Sequence, residues 1–290
     1  MDAKDTFFTR KKTLNCCGKI IDLSTPLAMG ILNITPDSFY DGGTHFTVKQ
    51  ADEHVGKMID EGASIIDVGA VSTRPGAVLP DEKEELKRLV PVLQMLRSNF
   101  PDIVISVDTF RSKVAEKVTG DFPVAIINDV SSGEMDPEMP GVVARAGVAY
   151  IMMHMQGVPG TMQKNPVYKD VVCDQLKYFA DKTEAFRKLG INDLLIDPGF
   201  GFGKNIEHNY EILSKLEMYG IFELPIVAGL SRKSMICRLL DCGPEEALNG
   251  TTALNMMALM KGADILRVHD VKEAMETIRI FKKAGMINQN

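Results

Sequence analysis

The chain has 290 residues, of which 45% are hydrophobic, enough apolar material for one large core. Its net charge of −6 argues against nucleic acid as the main partner, because nucleic-acid-binding domains carry basic surfaces. No apolar run approaches the roughly 20 residues that span a bilayer, and the polar N-terminal segment lacks the apolar core of a signal peptide. We therefore expect a cytoplasmic protein that does not bind membranes.

The N-terminal segment predicts a small hairpin. A Cys-Cys-Gly-Lys turn at 16–19 separates two short strand-like runs, 13–16 and 20–23. Such a hairpin could plug the bottom of a barrel. We interpret 1–290 as a single domain, in which 1–26 form the hairpin extension and 27–285 form the barrel.

Eight short apolar runs follow, and each ends in polar residues. Apolar runs bounded by turn residues are typical of strands buried on both faces. The predicted strands are 28–33, 64–70, 103–108, 124–129, 149–154, 194–197, 225–231 and 263–269.

Segments with helical spacing of apolar residues fill the gaps between these strands. The predicted helices are 48–61, 81–96, 111–119, 137–146, 171–189, 207–218, 234–240, 245–260 and 271–284. Pro91 predicts a kink or break in the second helix, because proline cannot donate a main-chain hydrogen bond. Eight strand–helix units of similar size favour an α/β fold of the parallel (β/α)8 TIM-barrel type over a doubly wound open sheet.

In such a barrel, all the strands open on one face, where the active site lies. The polar side chains that then converge are Asn33, Asp108, Asn128, Asp197, Lys233, Arg267 and His269. Carboxylates in an apolar cup need donors or cations. A ring that carries an amino group beside a ring N–H, such as guanine or pterin, offers two donors to one carboxylate. The alternative is that these residues only form ion pairs within the barrel.

The last strand ends in Arg267 and His269, which are two residues apart and so point the same way in a strand. Two cationic donors suit an anion, and barrels of this type often hold phosphate near strands seven and eight. Asn33 would be their neighbour when the barrel closes. For His269, a role in the core is the alternative.

The glycine-rich segment 199–205 fits neither a dinucleotide fingerprint nor a P-loop, because its spacing and its Lys204-Asn205 pair differ from both. Its glycines instead predict a close approach of the main chain to a flat ligand. Phe202 either lines the pocket or packs in the core.

Seven motifs in order resemble the signature of dihydropteroate synthases, over about residues 27 to 285. They are Asn33-Ile-Thr-Pro-Asp-Ser-Phe39, Ser72-Thr-Arg-Pro-Gly76, Asp108-Thr-Phe110, Ile127-Asn-Asp-Val-Ser131, Asp197-Pro-Gly-Phe-Gly-Phe202, Ser231-Arg-Lys-Ser234 and Arg267-Val-His269. The resemblance implies an enzyme of folate biosynthesis, a sulfonamide target, which joins 6-hydroxymethyl-7,8-dihydropterin pyrophosphate to 4-aminobenzoate with Mg²⁺ and acts as a homodimer through its later helices.

The resemblance also implies a role for each matching residue, in three groups. The pterin group is Asp108, Asn128, Met153, Asp197, Phe202 and Lys233. The pyrophosphate group is Asn33, which also holds Mg²⁺, with Thr73, Arg267 and His269. The aminobenzoate group is Phe39, Thr73, Pro75 and Ser234. Lys233, Arg267 and His269 are the expected catalytic residues, and 34–46 and 71–80 the expected mobile loops.

One position departs from the family pattern. Val71 stands where these enzymes usually carry an acidic residue, so any salt bridge of that acid is missing.

Three other functions remain open on the residues alone. They are a tetrahydrofolate-binding methyltransferase barrel, a Schiff-base aldolase that uses Lys233 with its pKa lowered by Arg232, and a pterin-binding protein without catalysis.

Overall fold

The structure is a computed structural model that describes residues 12–16, 18–35, 47–71, 79–157, 162 and 166–285. Two short strands, β1 (Thr13–Cys16) and β2 (Lys19–Asp22), pair antiparallel as the predicted hairpin. Its apolar side chains lie in one buried cluster with residues from the first half of the barrel strands, among them Ile65 and Val104. The hairpin therefore closes the amino-terminal end of the barrel, as predicted.

Eight parallel strands form the main sheet. They are β3 (Leu27–Asn33), β4 (Ile65–Gly69), β5 (Val104–Asp108), β6 (Val124–Asp129), β7 (Ala149–Met153), β8 (Leu194–Asp197), β9 (Val227–Ala228) and β10 (Ile265–Val268). Their order is β8-β7-β6-β5-β4-β3-β10-β9. A parallel bridge between Ile196 and Ile226 joins the two ends of this order. The sheet thus closes into the predicted barrel.

Helices cover the outside of the sheet. They are α1 (Val48–Asp60), α2 (Glu82–Asn99), α3 (Ser112–Asp121), α4 (Met139–Ala146), α5 (Val171–Lys188), α6 (Ile206–Ser214), α7 (Ser234–Leu240), α8 (Leu248–Met260) and α9 (Val271–Lys283). Their inner faces pack on the outward side chains of the strands in the largest apolar cluster. None of these helices, which are those of the described residues, has the length and apolar character needed to cross a bilayer.

Three predicted elements differ from those observed. Helix α2 is unbroken through Pro91, because the burial of Leu89, Leu93 and Leu96 on its inner face outweighs one missing hydrogen bond. The helix expected at 207–218 divides into α6 and a 3₁₀ turn, Leu216–Phe222.

The seventh strand is also shorter than predicted, because the chain turns directly after β9. The Lys233 main-chain N–H donates to the Leu230 carbonyl at 3.2 Å, and Arg232 adopts a left-handed conformation with φ of +54°. This turn brings the Lys233 side chain to the mouth of the barrel.

Candidate active site

Asp67, in β4, is the centre of the polar cluster at the carboxyl-terminal end of the barrel. Its side chain is fully buried. Its Oδ2 accepts hydrogen bonds from Arg267 Nε at 2.6 Å and from Asn128 Nδ2 at 3.0 Å. Its Oδ1 accepts from the Ser106 hydroxyl at 2.6 Å. These donors compensate the cost of burying a carboxylate, and they fix the position of all three partners.

Arg267 links two carboxylates. In addition to its contact with Asp67, its Nη2 donates to Asp108 Oδ2 at 2.9 Å. Burial alone would lower the pKa of Arg267, but the two carboxylates outweigh burial and raise it. Burial raises the pKa of Asp108 to about 7, against the opposing effect of Arg267. The guanidinium therefore stays charged between the two carboxylates.

Gly69 lies between Asn33 and Asp108 at the barrel mouth. The three residues are neighbours across β3, β4 and β5. A Cβ atom on Gly69 would lie 3.6 Å from Asn33 Oδ1 and 3.7 Å from Asp108 Oδ2. The two oxygen-bearing side chains thus flank the space above a residue that has no side chain.

Asp197 and Lys233 form the opposite wall. Asp197 Oδ1 accepts from the Gly199 main-chain N–H at 2.7 Å. Asp197 Oδ2 and Lys233 Nζ each lie 3.7 Å from the position of a Cβ on Gly229. Burial raises the pKa of Asp197, while the charge of Lys233 acts to lower it. Burial lowers the pKa of Lys233 to about 8, while the charge of Asp197 acts to raise it. The pair is mutually stabilised as ions.

Lys233 is held by the loop that follows β8. Its Nζ donates to the Phe200 carbonyl and lies 5.0 Å from the centre of the Phe202 ring. The ring gives the ammonium a cation–π contact and leaves it at the edge of the apolar part of the site. Its charge thus faces a surface that suits a flat ligand.

That apolar part is a separate cluster at the barrel mouth. Its buried members are Phe110, Val130, Met153, Met155 and Met162, and its half-buried members are Val71, Met135 and Phe202. Flexible methionines and an aromatic edge form a surface that adapts to a planar ring. Val71 packs, half-buried, against this cluster.

The loop 199–204 is held by main-chain contacts that only glycine permits. Gly199 and Gly203 have φ of +70° and +60°. A Cβ on Gly199 would lie 2.1 Å from the His154 carbonyl oxygen, and one on Gly203 would lie 2.4 Å from the Gln156 carbonyl oxygen. The main chain of this loop therefore approaches the residues that follow β7, and its expected approach to a flat ligand stays a prediction.

His269 lies above the end of β10. Its Nδ1 is 3.0 Å from the Ser231 hydroxyl, and its side chain is exposed. The next residue, Asp270, accepts from Arg232 Nε and Nη2, both at 2.8 Å. Burial lowers the pKa of Lys233, and Arg267 is a cation that lowers it further. Arg232 pairs with Asp270, and its effect on the Lys233 pKa stays a prediction.

Comparison with known proteins agrees with this arrangement. A family model described as a pterin binding enzyme matches residues 29–269. The dihydropteroate synthase of Escherichia coli K12 is 45% identical over 275 residues, which are 94% of this chain and 96% of that protein. The chain belongs to the dihydropteroate synthase family. Members of this family are transferases, and the chain is an enzyme of that class.

Solved dihydropteroate synthases share the fold. The Yersinia pestis enzyme in a sulfonamide drug complex has a TM-score of 0.89 and 43% identity, with 94% of this chain and 99% of that chain covered. The Xanthomonas albilineans enzyme with 4-aminobenzoic acid has a TM-score of 0.87 and 38% identity, with 94% and 98% covered. The barrel expected from the sequence is thus the family fold.

The structure brings most of the site residues expected from the synthase signature to one face. Asn33, Asp108, Asn128, Asp197, Lys233 and Arg267 lie at the barrel mouth, with Met153 and Phe202 in its apolar cluster. Ser234 is exposed at the first position of α7. Phe39, Thr73 and Pro75 lie outside the described residues, as do most of the expected loops 34–46 and 71–80.

Sequence reasoning assigned no site role to two buried charged residues. Asp67 stood only as a strand residue, although an acid within an apolar run requires a partner. Because side chains alternate along a strand, Asp67 and Gly69 face the same side of β4, next to Ser106 and Asp108 of β5. Lys204 was weighed only against a P-loop, yet its Nζ donates to the carbonyls of His154, Gly199 and Phe202 at 2.9–3.0 Å.

The oxygen donors at the mouth suit the Mg²⁺ that the synthase family implies. The described residues contain no group of three or more His, Cys, Asp or Glu that could hold a metal ion. Mg²⁺ prefers oxygen ligands and is commonly bound by one or two protein groups together with substrate phosphates. Asn33 Oδ1, beside the Asp108 carboxylate, matches that second arrangement.

Proposed function

We propose that this chain joins 6-hydroxymethyl-7,8-dihydropterin pyrophosphate to 4-aminobenzoate, with release of pyrophosphate and formation of 7,8-dihydropteroate for folate biosynthesis. Its strongest support is the convergence at one barrel mouth of three acceptors, Asp108, Asn128 and Asp197, with two cations, Lys233 and Arg267. The family of the chain supports the same reaction.

The pterin ring lies between the acceptors and the apolar cluster. The Asn128 amide gives its Nδ2 to Asp67, so Oδ1 is the atom that it offers to a ring N–H. Asp197 keeps Oδ1 on Gly199, so Oδ2 accepts from the ring while Lys233 beside it donates. Met153 and Phe202 contact the faces and edge of the ring. Paired donors and acceptors of this kind select a pterin over rings that lack them.

The pyrophosphate lies toward β3 and β10, where Asn33, Arg267 and His269 bind it, and the family signature adds Thr73 to this group. Guanidinium and imidazolium groups donate charge-assisted hydrogen bonds to phosphate oxygens. Asn33 would hold Mg²⁺ together with the substrate pyrophosphate, and the metal would supply neutralisation of the leaving group when bound. Phe39, Thr73, Pro75 and Ser234 bind 4-aminobenzoate. The Xanthomonas albilineans enzyme, solved with 4-aminobenzoic acid, supports this ligand, and the sulfonamide complex of the Yersinia pestis enzyme supports that drug class as a ligand of this chain.

The substitution at the pterin methylene is dissociative. The C–O bond to pyrophosphate breaks first, because the electron-rich dihydropterin ring delocalises the positive charge that forms on the methylene. Arg267 and His269 stabilise the departing pyrophosphate, and the Asp108 and Asp197 carboxylates stabilise the cationic ring. The neutral aromatic amine then forms the new C–N bond with no base needed before attack, and the ammonium so formed loses one proton to the released pyrophosphate or to solvent. Phe39 and Pro75 exclude water that could capture the cation.

The protein acts in the cytoplasm as a homodimer, with no nucleic-acid or membrane partner. Exposed apolar side chains on the adjacent helices α7, α8 and α9 support a protein contact there. They are Leu239, Leu240, Met257, Met260 and Ile280. Light scattering coupled to size-exclusion chromatography measures the assembly state, and a monomer at micromolar concentration excludes the dimer. The single domain of residues 1–290 is part of the same proposal.

A two-substrate assay tests the reaction. We expect pyrophosphate release only when the pterin pyrophosphate, 4-aminobenzoate and Mg²⁺ are all present, with dihydropteroate formed in equal amount. A tetrahydrofolate-dependent methyltransferase would instead transfer a methyl group and release no pyrophosphate. Release without 4-aminobenzoate, or no release at all, contradicts the proposed function.

A further inference from the structure

Arg267 and Asp108 bind each other in this structure, although the proposed function assigns them to different parts of the substrate. Arg267 Nη2 donates to Asp108 Oδ2 at 2.9 Å, while the pyrophosphate requires Arg267 and the pterin ring requires Asp108. While this contact lasts, the Nη2 hydrogen that it uses is not available to a phosphate oxygen, and the Oδ2 site that accepts it is not available to a ring N–H. Exchange of partners at this contact makes both available to the substrate while Arg267 remains in place.

We propose that Asp67 is a positioning residue that holds Arg267 through Nε as a pivot, so that Nη2 exchanges Asp108 for the substrate pyrophosphate when the pterin ring binds Asp108. This inference rests on the proposed function and adds the residue on which the partner exchange depends.

Burial distinguishes the fixed contact from the exchangeable one. The Asp67 side chain has no exposed surface, whereas those of Asp108 and Arg267 are 17% and 18% exposed. Asp67 is also held from two further sides, by Ser106 on Oδ1 and by Asn128 on Oδ2. Its carboxylate cannot follow a moving partner, so the Nε end of the guanidinium is anchored and the Nη2 end faces the substrate space.

The exchange conserves the pairing of every charge. Before binding, one guanidinium serves two carboxylates. Afterwards, Arg267 is shared by Asp67 and phosphate oxygens, and Asp108 accepts ring N–H donors in place of Nη2. Because a buried charge without a partner is costly, an exchange that keeps every charge paired changes the free energy of the site little. If Asp67 lacked its charge, Arg267 would follow Asp108 or leave the site, and pyrophosphate would lose a preorganised donor.

Binding calorimetry on Asp67→Asn tests the proposal without turnover, in the absence of both Mg²⁺ and 4-aminobenzoate. The two probes are the pterin pyrophosphate and the hydroxymethyl pterin that lacks pyrophosphate. We expect affinity for the pyrophosphate form to fall roughly tenfold or more relative to the free pterin, the scale of a charged hydrogen bond. Ser106→Ala, the matched control, removes a neutral donor from the same carboxylate and is expected to alter both affinities equally.

An Arg267→Ala background shows whether Asp67 acts through Arg267. There, Asp67→Asn is expected to leave the ratio of the two affinities unchanged. Equal losses for both ligands in the single variant, or a further change of the ratio in the Arg267→Ala background, overturns the proposal. If Asp67→Asn does not fold, Asp67→Glu takes its place, because it keeps the charge and displaces the contact with Nε. Binding by the wild-type protein tests the proposed function separately, since Asp67 is unchanged in it.

Discussion

Lys204 Nζ donates to the main-chain carbonyl of His154 at 3.0 Å and thereby ties the loop after β8 to the end of β7. Two further carbonyls, of Gly199 and Phe202, complete its contacts at 2.9 Å each. Burial lowers the pKa of Lys204 well below its usual value. Three acceptors nevertheless match the three donors of an ammonium, and a neutral amine has only two, so the geometry favours the charged form.

Lys204→Met should therefore destabilise the loop after β8 and, with it, the proposed pterin pocket. The substitution leaves carbonyls of the loop without a donor, which costs about 1–3 kcal/mol for each buried group. We expect a lower free energy of unfolding and a weaker affinity for hydroxymethyl pterin, because Asp197 and the Lys233 contact at Phe200 depend on this loop. Chemical denaturation and calorimetry measure the two effects. Lys182→Met is the control, since Lys182 donates to one carbonyl, Ser132, at 3.0 Å. Unchanged pterin affinity in Lys204→Met contradicts the expectation.

Lys233 should set the alkaline limit of activity. Because burial lowers its pKa to about 8, its charge is lost as the pH rises through that value. Activity that needs the ammonium is thus complete below pH 8 and falls above it. We expect an alkaline limb near pH 8 in kcat/KM for the pterin substrate, and none in Lys233→Arg, whose guanidinium stays charged. Identical limbs in both proteins would assign the titration to another group.

Much of the barrel could be predicted because its signals are local. Each apolar run ended in a polar residue, and all eight became parallel strands. The seventh strand is shorter than predicted, because the turn at Leu230–Lys233 depends on a left-handed Arg232. Asp270, a residue far along the chain, holds Arg232 in place. Nothing local at 225–231 indicates that partner. Likewise, the continuity of α2 through Pro91 depends on the surface beneath the helix.

Which residues come together in the site could be predicted better than the hydrogen bonds between them. Asp108, Asn128, Asp197, Lys233 and Arg267 all follow from their positions at strand ends. Their connections through Asp67 do not, because a hydrogen bond between residues 200 apart requires the strand order and register. Arg267 was expected to point with His269 at a bound anion such as phosphate. Its observed partners are the carboxylates of two protein side chains, Asp67 and Asp108. The aminobenzoate residues Phe39, Thr73 and Pro75 remain predictions.

The order of bond breaking can be measured at the reacting carbon. The site offers cationic groups near the leaving pyrophosphate, and the proposed mechanism uses no base for the amine. We therefore expect a large normal secondary deuterium isotope effect at the pterin methylene, under conditions in which chemistry limits the rate. Such an effect reports the change from tetrahedral to trigonal carbon as the cation forms. A value near unity under the same conditions would indicate concerted displacement.

The most direct measurement is calorimetric binding of hydroxymethyl pterin to the wild-type protein and to Asp197→Asn, because the account places the pterin ring on Asp197. The amide offers one acceptor and an NH₂ that opposes the ring donors, so affinity should fall roughly tenfold or more in the folded variant. Asp129→Asn is the control, since it removes a buried carboxylate whose donors are Ser131, Gly133 and Tyr150. We predict that its folded fraction keeps wild-type affinity. Wild-type affinity in folded Asp197→Asn would contradict the account.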